Sequence, residues 1–185
     1  MTTDPAVVHR EIDAGDGLTI HSAESGSGPP VVLLHGFTGS TETWTPFRAT
    51  FSASNRVIAV DQPGHGRSSS PADANRYRLD RFATDLSRIL DSSDVDRAVV
   101  LGYSMGGRAA LRFAVDYPDR VAGLILESAS PGISDEQQRR ERRESDAALA
   151  DRVERDGVEE FLKRWETLSL WDTQKALPLS VQGEL

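Results

Sequence analysis

The sequence predicts an α/β fold, a mostly parallel sheet flanked by helices. Three observations predict it. Short, continuous apolar runs recur along the first 126 residues, as in strands buried on both faces. Amphipathic helical patterns lie between them. A Gly-x-Ser-x-Gly segment sits where one such run meets one such helix.

The elements follow in order. Residues 6–12 and 17–23 alternate loosely around Gly15-Asp16-Gly17 and read as a β-hairpin. Residues 24–30 are rich in Gly, Ser and Pro and read as a turn. Val31–Leu34, Arg56–Val60, Ala98–Leu101 and Val121–Leu126 are the buried-strand runs. Leu79–Leu90 carries apolar residues at 79, 82, 83, 86, 89 and 90, a helical period. Met105–Val115 is a second helix, stopped by Tyr117-Pro118. After Ser130 the pattern changes. Ser134 with Gln137 resembles a capping box. A long charged helix follows to about Asp151, Asp156-Gly157 breaks the run, and Val158–Trp165 forms another helix. Residues 1–130 are therefore read as the core and 131–185 as a helical cap.

Composition narrows the function. The formal net charge of −8 disfavours non-specific nucleic-acid binding. With no cysteine there is no disulfide, thiolate metal site or Cys nucleophile. No apolar run approaches the roughly 20 residues that span a bilayer. The first five residues have no signal-peptide character. A soluble cytoplasmic protein is the expectation.

Gly102-Tyr103-Ser104-Met105-Gly106 fits a nucleophile elbow, with Ser104 lifted at the carboxyl edge of the sheet. His35-Gly36-Phe37-Thr38-Gly39 follows the first buried run. In such a site the N–H groups of Phe37 and Met105 form the oxyanion hole. His35 reads as a loop brace, and Asp61–Ser68 as a braced turn. Arg108 lies one helical turn past Ser104 on the same face, where the helix dipole disfavours a cation. It meets either a bound anion or a nearby acid. Arg139, Arg142 and Arg143 share a helix face that solvent or a ligand fills.

Together these loops resemble the α/β-hydrolase superfamily. More closely, the chain resembles the 2-succinyl-6-hydroxy-2,4-cyclohexadiene-1-carboxylate synthases of menaquinone biosynthesis. The residues that carry this are 102–108, Glu127–Ile133, the run 136–146 and Phe161–Trp165. The resemblance implies a carbon–oxygen lyase rather than a hydrolase. A Ser–His pair removes a ring proton and pyruvate is eliminated, without cofactor or metal. It makes Ser104 the catalytic serine. It places Tyr103, Arg108, Arg142 and Trp165 against a small-molecule carboxylate substrate.

The resemblance also implies elements this sequence lacks. The triad order in this fold is Ser, then Asp or Glu, then His. All four histidines, His9, His21, His35 and His65, precede Ser104. The expectation is a C-terminally truncated chain, impaired in activity, with the last strands missing and its final strand run an unprotected edge. A complementing C-terminal chain is one way to restore it. Three further readings stay open: an esterase or C–C hydrolase of the same fold, a non-catalytic fragment, and a binding module without turnover.

Overall fold

The computed structural model describes residues 6–176. The first five residues, and the last nine of the expected cap, lie outside that range. The chain divides into two compact units, Met1–Pro131 and Gly132–Leu185.

The first unit is built on six strands: β1 (Val8–Asp13), β2 (Thr19–Ser25), β3 (Pro30–Leu34), β4 (Arg56–Val60), β5 (Ala98–Tyr103) and β6 (Val121–Glu127). Their order across the sheet is β1-β2-β4-β3-β5-β6. The hairpin β1–β2 joins β4 antiparallel; β4, β3, β5 and β6 run parallel. From β3 the chain goes first to β4 on one side, then to β5 on the other. The carboxyl ends of β3 and β5 thus flank the point where the winding reverses. Such a point opens a crevice for ligands.

Strands β3, β4 and β5 are buried because each face has its own core, whereas β6, expected from its apolar run to be buried on both faces, stands at the edge and buries no residue. On one face Val32, Leu34, Ile58, Val60 and Val100 pack under α2 (Leu79–Ser92) and α3 (Met105–Asp116). The apolar positions of α2 explain its orientation: Phe82, Ala83, Leu86, Ile89 and Leu90 are all buried. On the other face Val31, Leu33, Val57, Ala59 and Leu101 pack with Trp44. A helix not announced by the sequence pattern, α1 (Thr45–Ser52), also lies between β3 and β4.

Two readings need correction. The turn expected at 24–30 is shorter, because Glu24 and Ser25 belong to β2 and pair with Ile58 and Val57. Glu24 is buried, yet it is charge-compensated. Arg10 approaches at 3.0 Å and Arg56 at 2.8 Å, and Ser93 donates from 3.0 Å. A buried carboxylate survives only with such partners. The second correction concerns the helix after Ser130, α4 (Glu136–Asp156). Its cap is Asp135 rather than Ser134. Asp135 has extended backbone, and its carboxylate accepts the Gln138 N–H at 2.8 Å. An ionised acceptor at a helix start also suits the dipole.

In the second unit α4 runs five residues beyond the expected Asp151, to Gly157, which takes φ 86°. It buries no residue. Helix α5 (Val158–Glu166) follows. Leu149 and Val153 of α4 face Phe161 and Trp165 of α5 around a cavity of about 250 Å³. Among the described residues, no helix is long and apolar enough to cross a membrane.

Candidate active site

Ser104 stands between β5 and α3 with φ 51° and ψ −109°. This left-handed conformation is strained for a residue with a Cβ. The strain sits on the serine itself, not on its glycines. Those are required for space. A Cβ on Gly102 would strike the backbone of Gly106 and Gly107, and one on Gly106 would strike the carbonyls of Leu34 and His35. The elbow is fixed from both sides. Ser104 N–H donates to the Glu127 carbonyl at 2.8 Å, and the Ser104 carbonyl accepts from Arg108 N–H at 3.2 Å. The serine is half-buried, and among the described residues its hydroxyl makes no hydrogen bond.

The loop after β3 lies against this serine. A Cβ on Gly36 would come to 2.8 Å from the Tyr103 ring and 3.5 Å from the Ser104 Cβ. Phe37, next along, is exposed. Met105 is the first residue of α3, so its N–H belongs to the donors a helix start leaves without an intrahelical acceptor. The strand–turn–helix setting thus brings Phe37, Tyr103, Ser104 and Met105 to one sheet edge.

Two buried networks hold the loop. His35 donates from Nδ1 to the Gly36 carbonyl at 2.8 Å, and its Nε2 accepts Gln62 N–H at 3.1 Å. The Gln62 side chain donates back to the His35 carbonyl at 2.7 Å. Burial pulls His35 down to about 4, so it is neutral at pH 7. With both nitrogens committed, it braces the loop. Beyond it, Asp61 receives Thr41 N–H at 2.6 Å, Arg67 N–H at 3.0 Å and the His21 ring at 2.7 Å. Burial opposes the charge on Asp61. The N–H groups of Arg67 and Thr41, together with His21, outweigh it and hold the carboxyl below its ordinary value. The part played by His21 had no signal in the sequence, because it depends on the register of β2 beside β4. His65 is half-buried, tied through Nδ1 to the Pro63 carbonyl at 3.1 Å, with its ring 6.2 Å from that of Phe37.

Arg108 is exposed on α3 and, among the described residues, forms no ion pair. The next arginine on that helix, Arg112, is paired to Asp116 at 2.6 Å. Arg142 and Trp165 lie in the second unit. Arg142 is exposed and bound by Asp146 at 2.8 Å. Trp165 is half-buried between Phe161 and Trp171, at ring distances of 5.6 and 6.1 Å. Among the described residues no group of three or more His, Asp or Glu side chains is placed to hold a metal.

The profile of the alpha/beta hydrolase fold family matches residues 29–180. The chain belongs to the α/β-hydrolase family. It is 41% identical over 168 residues to a Bacillus subtilis (strain 168) protein provisionally named 2-succinyl-6-hydroxy-2,4-cyclohexadiene-1-carboxylate synthase. That match covers 90% of this chain and 61% of the relative. A Klebsiella pneumoniae synthase of the same name is 36% identical over 137 residues, covering 74% of this chain and 53% of its own length. The solved structure of S. aureus MenH superposes with a TM-score of 0.81 at 36% identity, over 88% of this chain and 62% of that one. The chain therefore spans a little over half the length of these relatives.

Proposed function

We propose that this chain supplies the serine and oxyanion half of a lyase site that eliminates pyruvate from a polycarboxylated cyclohexene in menaquinone biosynthesis. The observation that carries this reading is Arg108. It is a guanidinium one turn from Ser104, in the first turn of a helix, with no carboxylate paired to it among the described residues. The helix dipole disfavours a cation there, and a bound anion would offset that cost. A substrate carboxylate held by the guanidinium fork is that anion.

In this mechanism Ser104 Oγ, relieved of its proton by a histidine, removes a ring proton. The C–H electron pair forms the new ring double bond, the C–O bond to the enolpyruvyl group breaks with its electron pair leaving on oxygen, and protonation of the released enolate at carbon gives pyruvate. The N–H groups of Phe37 and Met105 receive charge developing on oxygen. Tyr103, beside Ser104 in the elbow, is read as a further substrate contact, as are Arg142 and Trp165. Neither cofactor nor metal takes part. On this reading the chain works in the cytoplasm.

The histidine is the open requirement. His21 and His35 are committed to buried hydrogen bonds, His65 is tied through Nδ1 to the Pro63 carbonyl in its braced turn, His9 stands on β1 at the far edge of the sheet, and residues 105–185 hold none. A serine without its base loses orders of magnitude in rate. The base, and the acid that orients it, come on this reading from a complementing C-terminal segment.

The test is to assay the chain alone, and with the C-terminal part of the B. subtilis relative added in trans, for pyruvate release and for hydrolysis of simple esters. Pyruvate release that depends on the added segment and on Ser104 supports the proposal. Ester hydrolysis without pyruvate release would make the chain part of an esterase. Binding of the substrate with neither activity would make it a binding module.

A further inference from the structure

We infer that His9 and His21 form a two-histidine site for a divalent transition metal, copper(II) or nickel(II), on the β1–β2 hairpin. The site stands apart from Ser104 and does not depend on the function proposed above.

The register creates it. His9 lies opposite Ala23, and His21 lies opposite Glu11. His9 and His21 are therefore diagonal neighbours on one face of the hairpin, within reach of long side chains. His9 Nδ1 and His21 Nε2 approach to 3.0 Å, with ring planes within 20° of each other.

Three features make this more than a chance approach. First, His21 is immobilised. It is buried, its N–H donates to Ser68 Oγ at 2.9 Å, and its carbonyl receives Asp61 N–H at 3.0 Å. Second, Asp61 fixes its tautomer. The carboxylate, 2.7 Å from His21 Nδ1, places the proton there and turns the Nε2 lone pair toward His9. A histidine backed by a carboxylate in this way is the usual outer shell of a metal ligand. Third, the spacing suits a metal. With metal–nitrogen bonds of about 2.0–2.1 Å, nitrogens this far apart subtend roughly 95°. That is near the right angle of tetragonal copper(II) or octahedral nickel(II), and short of the tetrahedral angle zinc prefers.

No third protein ligand is placed to join them among the described residues. Water completes the sphere, which the exposure of His9 permits. The ring centroids are 5.1 Å apart, so the two nitrogens face each other nearly head-on. Metal entry replaces the shared proton and tilts the exposed His9 ring. The buried partner stays in place.

The experiment is a nickel(II) titration of the chain by calorimetry, paired with copper(II) electron paramagnetic resonance. Wild type is expected to bind one nickel(II), and its copper(II) spectrum to show two nitrogen ligands. His9→Ala, an exposed substitution, is expected to weaken nickel binding by at least about tenfold and leave one nitrogen. Asp61→Asn is expected to weaken it about 10–100-fold. The histidine variant decides the question if the aspartate variant misfolds. Equal affinity in His9→Ala, or no nickel uptake by the wild type, would show that the pair shares only a proton, and would overturn the proposal.

Discussion

Ser104 N–H donates to the carbonyl of Glu127 at 2.8 Å, so the strained residue of the elbow is pinned to the last residue of β6. The bond links the elbow to the edge of the sheet. It also shows how a backbone conformation that costs energy is retained: neighbouring elements over-determine it.

That strain is measurable. At φ 51° a glycine is unstrained where serine is not. Ser104→Gly is expected to stabilise the chain by about 1 kcal/mol, within the roughly 1–3 kcal/mol such strain stores. Ser104→Ala keeps the Cβ and gains nothing from this source. Urea midpoints of the three proteins test it. A glycine variant no more stable than the alanine variant would mean that Ser104 is not held at positive φ.

His35 sets an acid limit on stability. Its folded value lies at about 4, below its ordinary 6.5. Between those values the unfolded chain takes up a proton that the folded chain refuses, so stability falls as pH drops from 6.5 toward 4. The full effect is on the order of 3 kcal/mol. Asp61 acts in a lower window. Its folded carboxyl is depressed, so its contribution is present above pH 3.8 and is lost as pH falls through the folded value. Denaturation curves at half-unit steps from pH 7 to pH 4, for wild type and His35→Gln, separate the two. The variant should be less stable at pH 7 and should show a flatter slope. An identical slope would remove His35 as the cause.

Arg108 gives a binding test that needs no turnover. A dicarboxylate such as succinate is expected to raise the melting temperature of the chain. Arg108→Ala is expected to weaken that binding about 10–100-fold, the worth of a charged hydrogen-bonded pair. Arg112→Ala, which only frees Asp116, should leave it unchanged. Equal binding by all three proteins would sink the carboxylate role of Arg108.

Much of this site was legible because local pattern encodes it. Ala98–Leu101, two glycines and an amphipathic helix specify an elbow in a single contiguous stretch, and Arg108 follows by helical spacing. What stayed hidden depends on register and burial. His9 and His21 are twelve residues apart, and nothing in their local sequence shows that they meet. Glu24 reads as a turn residue until Arg10 and Arg56 close on it. Ser134 and Asp135 are both plausible caps by composition, and only backbone conformation selects the second. Arg142 was singled out by resemblance, while its ion pair with Asp146 is a local i,i+4 contact that the spacing already allowed.

The edge strand supplies the last prediction. Among the described residues β6 pairs with β5 alone and forms one edge of the six-stranded sheet. Ile125 and Leu126 are 49% and 41% exposed, which is high for large apolar residues of a parallel strand. Unpaired backbone beside exposed apolar side chains is a template for another strand. The chain studied alone is therefore expected to self-associate through β6. Ile125→Lys puts a charge on that edge and should shift the protein toward monomer in light scattering, with unchanged far-ultraviolet circular dichroism. A charge on exposed Val115 of α3 is the control, since it changes net charge equally without touching the edge. If Val115→Lys disperses the protein as well as Ile125→Lys does, net charge and not the edge of β6 governs association.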